Sequence, residues 1–468
     1  MTYDFDALLG RVEKPGRYTG GEMNAEVKPI AQADISFAFC FPDTYEVAMS
    51  HLGMKILYGI LNSLPYAVCE RVCMPWVDML SELRKNHIPL CSLESHTPLS
   101  RFDIIGFTLQ YEMSYTNVLE MMDLGGVPVL SSERGEDDPI VLAGGPCAFN
   151  PEPLHLFIDA FLIGDGEDSI VEVTDVLNAC KKEGVPRAER LRRLAALRGV
   201  YVPGLYHDEY NADGTLKSLE PVDPCAPPRV LRSILTDFEN AYVPTSPPVP
   251  YLQPVFDRIM LEIMRGCTRG CRFCQAGMRY RPVRERSVDK LVELAKESVR
   301  NTGYEEISLS SLSSSDYSCI SELAGRLTDA LKDQRVSLSL PSLRVDKFVQ
   351  DTLTHTQKVK KSSLTFAPEA GTQRLRDVIN KNVTEADLVN TLTNAFSNGW
   401  NAVKLYFMTG LPTETDEDLI GIAELAKTAA GAYYSVPREK RVKGLRITCS
   451  AAVFVPKPFT PFQWCRQD

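Results

Sequence analysis

The sequence predicts an α/β protein in which a doubly wound, Rossmann-like domain is followed by a partial (β/α)6 barrel of the TIM type. In both halves of the chain, short apolar runs of strand length alternate with longer helical segments. This alternation is typical of parallel sheets, because parallel strands need crossover connections. A proline-dense stretch separates the two halves, and regular helices and central strands do not tolerate proline.

Length and composition limit the classes of protein to which the chain can belong. It has 468 residues, enough for about three domains at ~150 residues each. Hydrophobic residues make up 44% and charged residues 24%, which excludes a wholly disordered chain. No apolar run reaches the roughly 18 residues of a membrane span, and no signal peptide opens the chain, so we expect a cytoplasmic protein without membrane contact. The net charge of −10 argues against general attraction to nucleic acid.

The first half is predicted to contain an arm, a domain and a linker. Residues 1–34 are polar and form the arm, and the doubly wound domain covers 35–190. Its strands are predicted at 35–41, 88–93, 103–109, 140–143 and 158–163, and its helices near 44–62, 74–86, 114–124 and 167–182. The region 191–250 is predicted to be a linker, because eight prolines fall between positions 221 and 250.

The second half, 251–468, is predicted to form the partial barrel. Its strands are expected at 258–264, 305–312, 336–343, 362–368, 401–408 and 445–455. Two of the helices between them carry clear start and stop signals, with Ser287 and Thr384 before the apolar periodicity and Gly303 and Gly399 after it. Because βα barrels place their chemistry at the carboxyl ends of the strands, we expect the functional site there.

A cysteine motif follows the first predicted barrel strand. Cys267, Cys271 and Cys274 have the spacing C-x3-C-x2-C, which lets one loop place three thiolates around one metal centre, and Gly266 and Gly270 allow unusual backbone conformations. A closed zinc site takes four protein ligands. Three cysteines favour a four-iron cluster with one open iron, although a zinc site completed by a distant residue remains an alternative.

Other cysteines and the basic residues near the motif have simpler interpretations. Cys69 and Cys73 lie in a Val-rich segment without further ligands and are predicted to be buried small hydrophobes. Seven arginines between positions 265 and 286 are expected either to offset the negative charge of a thiolate-bound cluster or to present a basic rim to an anionic substrate.

With this motif and its flanking elements, the second half resembles the radical S-adenosylmethionine superfamily. The resemblance implies that Cys267, Cys271 and Cys274 hold a [4Fe-4S] cluster whose open iron binds S-adenosylmethionine. It implies that one electron then cleaves the sulfonium to release a 5′-deoxyadenosyl radical. Phe273 occupies the aromatic position that contacts the adenine in this superfamily.

Three further segments match the superfamily by position. Ser313 and Ser314 follow the second barrel strand, where relatives bind the methionyl amine, although this chain has serines in place of the usual glycine-rich turn. Glu369 ends the fourth strand, where relatives place a glutamate against the ribose. Gly410 and Pro412 belong to a Gly-Leu-Pro-Thr-Glu-Thr turn that resembles the adenine-side turn. As the alternative, Glu369 and Thr415 are ordinary residues of helix N-termini.

The first domain resembles cobalamin-binding-like domains fused to radical enzymes of an uncharacterised family. The resemblance implies strand-end turns that approach a flat cofactor at Gly144, Gly145 and Gly164. The D-x-H-x-x-G motif that supplies a cobalt ligand is missing, because His51 lacks the acid and the glycine at the required spacing. We therefore predict that His51 is structural, and cobalamin stays open as a cofactor without a histidine ligand.

The resemblance leads to one main functional hypothesis and one alternative. The protein is expected to be a radical S-adenosylmethionine enzyme, with methyl transfer or hydrogen abstraction as its chemistry, RNA or another macromolecule as a candidate substrate, and a flavodoxin- or ferredoxin-like protein as reductant. The alternative is a non-catalytic iron–sulfur or zinc protein that senses redox state or acts as a scaffold. Comparable family members extend further, so we expect a fragment boundary after Asp468 and a substrate-binding portion beyond it.

Overall fold

The computed structural model describes residues 5–339 and 364–467. The chain divides into two compact units, Met1–Asp257 and Arg258–Asp468. Within the described residues, we found no helix that combines the length and the apolar character needed to cross a membrane.

A six-stranded sheet forms the centre of the first unit. Its strands are β1 (Ile35–Phe41), β2 (Ala67–Cys73), β3 (Ile104–Thr108), β4 (Ile140–Gly144), β5 (Ala160–Leu162) and β6 (Val200–Tyr201). They are ordered β2-β1-β3-β4-β5-β6, and every neighbouring pair is parallel except β5 and β6. The order of the strands reverses at β1, because β2 lies on one side of β1 and the following strand, β3, lies on the other.

Helices cover both faces of this sheet. They are α1 (Asp6–Leu9), α2 (Tyr45–Ala48), α3 (Leu52–Ser63), α4 (Val77–Asn86), α5 (Tyr115–Leu124), α6 (Glu167–Glu183) and α7 (Arg187–Ala195). Phe37 and Phe39 of β1 belong to the core that includes α3 and α6, whereas the alternate residues Ala38 and Cys40 belong to the core that includes α4 and α5. Every residue of β1 is buried, as expected for a parallel sheet between two helical layers.

The strand β2 is absent from the sequence prediction, and the strand predicted at 88–93 is wrong apart from one isolated bridge at Cys91. Two charged residues in the middle of β2 hide its strand character. Arg71 is 2% exposed and pairs with Glu22 and Glu94, at 2.7 and 2.6 Å. Buried charges of this kind require paired partners, and here the partners are distant in sequence.

The region predicted as a linker, 191–250, contains regular structure. It includes β6 and a hairpin made of β7 (Tyr206–Tyr210) and β8 (Leu216–Pro221). Further along, Ser233 forms a parallel β-bridge with Gly164, which lies two residues after β5. The first unit therefore continues to Asp257, beyond the predicted domain end at 190.

The second unit contains two three-stranded parallel sheets, ordered β13-β12-β9 and β14-β15-β16. Their strands are β9 (Ile259–Glu262), β12 (Glu306–Ser310), β13 (Ser337–Ser339), β14 (Leu364–Glu369), β15 (Ala402–Thr409) and β16 (Arg446–Val453), and a short antiparallel pair is formed by β10 (Met264–Arg265) and β11 (Arg284–Glu285). All six predicted barrel strands are present. Positions 340–343 and 362–363 of the third and fourth predicted strands lie outside the described residues.

The helices of the second unit connect successive parallel strands. They are α8 (Ala276–Arg279), α9 (Val288–Thr302), α10 (Ile320–Leu331), α11 (Gln373–Val378), α12 (Glu385–Ser397) and α13 (Asp416–Ser435). The predicted caps are confirmed: the Ser287 hydroxyl accepts from the Lys290 N–H, and Thr384 forms a reciprocal capping box with Asp387. Within each of the two three-stranded sheets, every strand thus lies beside the next parallel strand of the chain, as in a βα barrel.

Candidate active site

The cysteine loop begins directly after β10. Cys271 is buried, and Cys267 and Cys274 are half-buried. Gly266 has a φ of +96°, and a Cβ atom there would lie 2.5 Å from the Tyr280 carbonyl oxygen, so no other residue is accommodated. The N–H of Arg269 lies 3.4 Å from the Cys267 Sγ atom and donates to it.

Three thiols along one loop are a donor set that suits a [4Fe-4S] cluster. A closed tetrahedral zinc site takes a fourth protein ligand on the same centre. In a four-iron cluster each thiolate binds a separate iron, so soft cysteine ligands spread along a loop are appropriate.

Contacts to the segment after α11 fix the loop from one side. The N–H of Arg272 donates to the Ile379 carbonyl at 3.0 Å, and the Asn380 side chain donates to the Gly270 carbonyl at 2.8 Å. A Cβ at Gly270 would lie 2.8 Å from the Asn380 Nδ2 atom, so this close approach depends on glycine. Phe273 packs on an apolar cluster at the carboxyl ends of the second sheet, formed by Ala370, Leu375, Ile379, Leu411 and Phe454.

An ion pair fixes the loop from the other side. The Arg269 guanidinium donates to both carboxylate oxygens of Asp316, at 2.9 and 2.6 Å. Asp316 ends a short 3₁₀ turn, Ser314–Asp316, in the segment that follows β12. The cysteine loop and the predicted methionyl-binding segment are therefore joined by a charge-assisted, two-bond contact.

The two serines predicted to contact S-adenosylmethionine are turned toward the protein. The Ser313 hydroxyl donates to Asp316 at 2.8 Å. Ser314 is fully buried, and its hydroxyl interacts with Ser311 and with the Leu309 carbonyl. The Ser314 hydroxyl therefore shapes the turn, and contact of Ser313 and Ser314 with S-adenosylmethionine stays a prediction.

Glu369 lies beside the cysteine loop, at the end of β14. It has a φ of +69°, and the Lys381 ammonium donates to its carboxylate at 2.9 Å. The same ammonium lies 5.9 Å from the centre of the Phe273 ring. Glu369, Lys381 and Phe273 therefore form one connected group next to Cys274, and both charged side chains are largely buried.

The turn after β15 presents backbone groups at the same end of the sheet. Gly410 has a φ of +75°, and its N–H donates to the Glu414 carboxylate at 2.6 Å. Thr415 caps α13 in a capping box with Asp418, which supports the structural interpretation of Thr415. Pro412 is half-buried within this turn.

Asp418 is the most heavily bonded carboxylate of this region. It is 2% exposed and accepts hydrogen bonds from Thr372, Arg374 and Thr415. Burial alone would raise the pKa of Asp418, but these donors outweigh it and lower the pKa to about 2. The carboxylate therefore stays ionised and holds the turns after β14 and β15 together.

The seven arginines near the cysteines are engaged inside the second unit. Arg279 and Arg286 are buried, and Arg269 and Arg265 pair with Asp316 and Glu262. The other three guanidinium groups donate to backbone carbonyls, as Arg272 does to Val378, Arg281 to Gly277 and Arg284 to Pro282. All seven arginines thus contribute to the order of this region, while Arg272 and Arg281 are also exposed, and the predicted basic rim stays a prediction.

Two of the three glycines predicted to approach cobalamin pack closely against the backbone of the first unit. A Cβ at Gly164 would lie 2.1 Å from the Ser233 carbonyl oxygen, and a Cβ at Gly145 would lie 2.9 Å from that of Leu109. Gly144 has only ordinary contacts with Leu162. The missing side chains at Gly145 and Gly164 thus accommodate backbone, and a cofactor contact at the three glycines stays a prediction.

His51 has a structural role, as its sequence context indicates. Its Nδ1 atom accepts a hydrogen bond from the Met54 N–H and caps α3. Burial lowers the pKa of His51 to about 4, so the imidazole is neutral near pH 7. A contact that the sequence did not indicate lies nearby: the Tyr111 hydroxyl, after β3, donates to Asp43, after β1, at 3.1 Å.

Comparisons with known proteins agree with this architecture. A family model described as the radical SAM superfamily matches residues 261–426, and one described as the N-terminal part of radical SAM proteins matches 53–203. The fold and the cysteine loop together define a radical S-adenosylmethionine protein with an additional N-terminal α/β domain. The chain belongs to the radical SAM superfamily, in a family that it shares with the uncharacterized protein MJ0966 of Methanocaldococcus jannaschii. The two are 32% identical over 427 residues, which cover 91% of this chain and 78% of that protein.

Solved structures with the same two-part fold are cobalamin-dependent enzymes. OxsB, a cobalamin-dependent S-adenosylmethionine radical enzyme, gives a TM-score of 0.57 at 15% identity over 84% of this chain, which spans about half (51%) of the OxsB chain. TsrM from Kitasatospora setae, a radical S-adenosylmethionine methyltransferase, gives a TM-score of 0.56 at 12% identity. The match covers 92% of this chain and 75% of the TsrM chain. These similarities confirm the predicted fold class, a Rossmann-like domain followed by a TIM-type radical SAM domain.

Proposed function

We propose that this enzyme holds a [4Fe-4S] cluster on Cys267, Cys271 and Cys274 and cleaves S-adenosylmethionine reductively. The bound cluster would supply the one electron that breaks the sulfonium C–S bond of S-adenosylmethionine, which gives methionine and a 5′-deoxyadenosyl radical able to abstract hydrogen from an organic substrate. The observation that carries the proposal is the position of the cysteine loop. Side-chain contacts tie it to the segment after β12 and pack it against the ends of β14 and β15, where the superfamily binds S-adenosylmethionine.

The residues of the site support binding, orientation and exclusion of water. Gly410 and Pro412 shape a turn beside the apolar cluster on which Phe273 packs, and this cluster would keep water away from a reactive carbon radical. The Lys381 ammonium neutralises Glu369, so this carboxylate would act as a hydrogen-bond acceptor for ribose hydroxyls without leaving a buried uncompensated charge. We expect the electron to come from a flavodoxin- or ferredoxin-like protein.

Electron paramagnetic resonance tests the proposal. The anaerobically reconstituted and reduced protein should give a four-iron signal that changes when S-adenosylmethionine is added. Cys271→Ala should abolish this signal, whereas Cys319→Ala, at an exposed cysteine outside the loop, should leave it unchanged. A zinc-filled site, or a cluster indifferent to S-adenosylmethionine, would contradict the proposal and favour a non-catalytic metal protein.

A cobalamin-dependent methyl transfer is the second candidate function. Its support is the fold similarity to OxsB and TsrM, which covers most of this chain. The crevice outside β1 and β3 is where the strand order reverses, and such switch points are the usual ligand sites of open α/β sheets. Asp43 follows β1 and Tyr111 follows β3, so this hydrogen-bonded pair lies at the switch point.

Equilibrium dialysis with hydroxocobalamin tests the second candidate separately. The wild-type protein should retain cobalamin, and His51→Asn should retain it equally, because His51 is used as a helix cap. If the wild-type protein retains no cobalamin, this candidate is rejected and the radical S-adenosylmethionine proposal is unaffected.

A further inference from the structure

The second sheet of the barrel unit has one face covered by helices and one face that they do not cover. Val403, Leu405 and Phe407 of β15 belong to the buried core that includes α12 and α13. Because side chains alternate along a strand, Lys404 and Tyr406 project from the opposite face. This face points toward the interior of the barrel.

Polar side chains from all three strands gather on this inner face. Lys404 is in register with Thr365 of β14 and Thr448 of β16, and Tyr406 is in register with Ser450. Within the described parts of the chain, none of these five side chains makes a hydrogen bond or an ion pair to protein. The Lys404 ammonium has one contact, with the Tyr406 ring at 4.8 Å from its centre. Thr365, Lys404 and Ser450 are half-buried and Tyr406 and Thr448 are exposed, so these polar groups are accessible to a ligand.

The charge of the inner face is positive. Arg446, in register with Ala402, lies on the same face as Lys404 and is exposed. The acidic residue at the upper end of β14, Glu369, is already paired with Lys381. Lys404 and Arg446 therefore lie on this face without a carboxylate partner among the described residues.

The inner face leads to the cysteine loop. Met408, on the same face of β15, packs on the apolar cluster that also receives Phe273, the neighbour of Cys274. Four residues of strand separate Lys404 from Met408, or about 13 Å at ~3.3 Å per residue. A molecule held at Lys404 would extend from there toward the place where the radical is generated.

We propose that Lys404 and Tyr406 bind an oxyanion of the substrate, either a carboxylate or a phosphate, on the inner face of β14–β16. An ammonium and a phenol hydroxyl both donate hydrogen bonds, which an oxyanion accepts. Thr365, Thr448 and Ser450 would bond to the adjacent polar groups of the same molecule. This assignment of substrate class rests on the proposed radical function.

Calorimetric titration of the cluster-loaded protein tests the proposal. The probes are inorganic phosphate and benzoate, which separate phosphate from carboxylate recognition, and benzamide is the uncharged control. Wild-type protein should bind one of the two anions, and Lys404→Met should weaken that binding at least about tenfold, or ~1.4 kcal/mol. Tyr406→Phe should weaken it less, because only one hydrogen bond is lost. Lys427→Met is the matched control, since Lys427 is an exposed lysine of α13.

Three results would overturn the proposal. They are the absence of anion binding to the wild-type protein, equal binding by Lys404→Met and wild type, and binding of benzamide as tight as that of benzoate. The titration contains no S-adenosylmethionine, so it decides the anion site even if the cluster proves indifferent to S-adenosylmethionine, and with a zinc-filled site it is run on the protein as purified. Conversely, Lys404→Met should keep the resonance change caused by S-adenosylmethionine, which shows that the variant is folded and that the cysteine site is intact.

Discussion

Arg269, in the middle of the cysteine motif, forms a two-bond ion pair with Asp316, which lies 47 residues further along the chain. The Asp316 side chain is 9% exposed and also accepts a hydrogen bond from Ser313. One carboxylate therefore holds both the loop of the metal ligands and the turn after β12. The geometry of the candidate site depends on this link between two loops that share no local sequence signal.

Asp316→Asn should loosen the site without unfolding the protein. Loss of a charged acceptor that is largely buried costs about 1.5–3 kcal/mol. We expect a drop in iron bound per protein and at least about tenfold weaker binding of S-adenosylmethionine, at ~1.4 kcal/mol per factor of ten. Iron analysis and a titration followed by electron paramagnetic resonance measure both. Asp289→Asn removes the exposed pair with Arg326 as a control, and equal losses in both variants would contradict the prediction.

His51 should give the stability of the first unit a specific pH dependence. Its pKa is about 4 in the folded protein, against 6.5 ordinarily, so between these values the unfolded chain binds the proton more readily. The contribution of His51 to stability is therefore full above pH 6.5 and is lost as the pH falls toward 4. His51→Asn keeps a good helix cap and removes the titration.

Urea unfolding at pH 7.5 and pH 5 measures this effect. The fall in unfolding free energy between the two pH values should be smaller in His51→Asn than in wild type. His87→Asn, at an exposed histidine, should behave like wild type. The prediction is wrong if the two variants show the same pH dependence.

Gly371→Ala should destabilise the second unit strongly. A Cβ at this position would lie 2.4 Å from both the Asp418 carbonyl oxygen and the Ile422 nitrogen of α13. The contacts are with backbone, so we expect a loss of about 3 kcal/mol of unfolding free energy, as in overpacked cores. Gly431 lies in α13, and a Cβ added there would have no atom within 4 Å. Gly431→Ala should therefore stabilise the protein by about 0.5–1 kcal/mol. Denaturant unfolding of both variants would reveal the opposite signs.

Asp418→Asn should destabilise the protein at neutral pH and much less in acid. The capping box and the bonds from Thr372 and Arg374 favour the ionised form, with a pKa of about 2. This stabilisation is full above the ordinary pKa of 3.8 and is lost as the pH falls through 2. We expect a loss of about 1–3 kcal/mol at pH 7.

The difference in unfolding free energy between wild type and Asp418→Asn should then shrink below pH 4. Unfolding experiments at pH 7 and pH 3 measure it. Asp416→Asn, at an exposed position in the first turn of the same helix, should cost less than about 1 kcal/mol at either pH. A loss for Asp418→Asn that does not depend on pH would contradict the assignment of charge to this carboxylate.

The sequence predicts the parts of the fold that depend on local patterns. The barrel strands and the caps at Ser287 and Thr384 follow from apolar runs and short-range hydrogen bonding, and the metal ligands follow from their spacing. The strand β2 is missed because Glu70 and Arg71 interrupt its apolar run, and their partners, such as Glu22 and Ser92, come from distant segments. Tertiary pairing thus overrides the local signal.

The candidate site shows the same limit. Glu369 is predicted as a site residue because it ends a strand. Its partner Lys381 lies after α11 and belongs to no motif, so the sequence does not indicate the ion pair. Ser314 matches by position, but the burial of its side chain comes from the tertiary fold and has no local sequence signal. Lys404 and Tyr406 look like ordinary strand residues, because only the pairing of β14, β15 and β16 brings their polar neighbours together.

The close approach of α13 to the end of β14 also constrains how this family can diverge. Gly371 and Gly421 face each other across the contact, and a Cβ on Gly421 would lie 3.1 Å from the Gly371 carbonyl carbon. A side chain at either position would force the helix outward, and the turns that Asp418 joins would separate with it. The two glycines should therefore be inherited as a pair, and a lineage that loses one of them should also have remodelled the turn after β15.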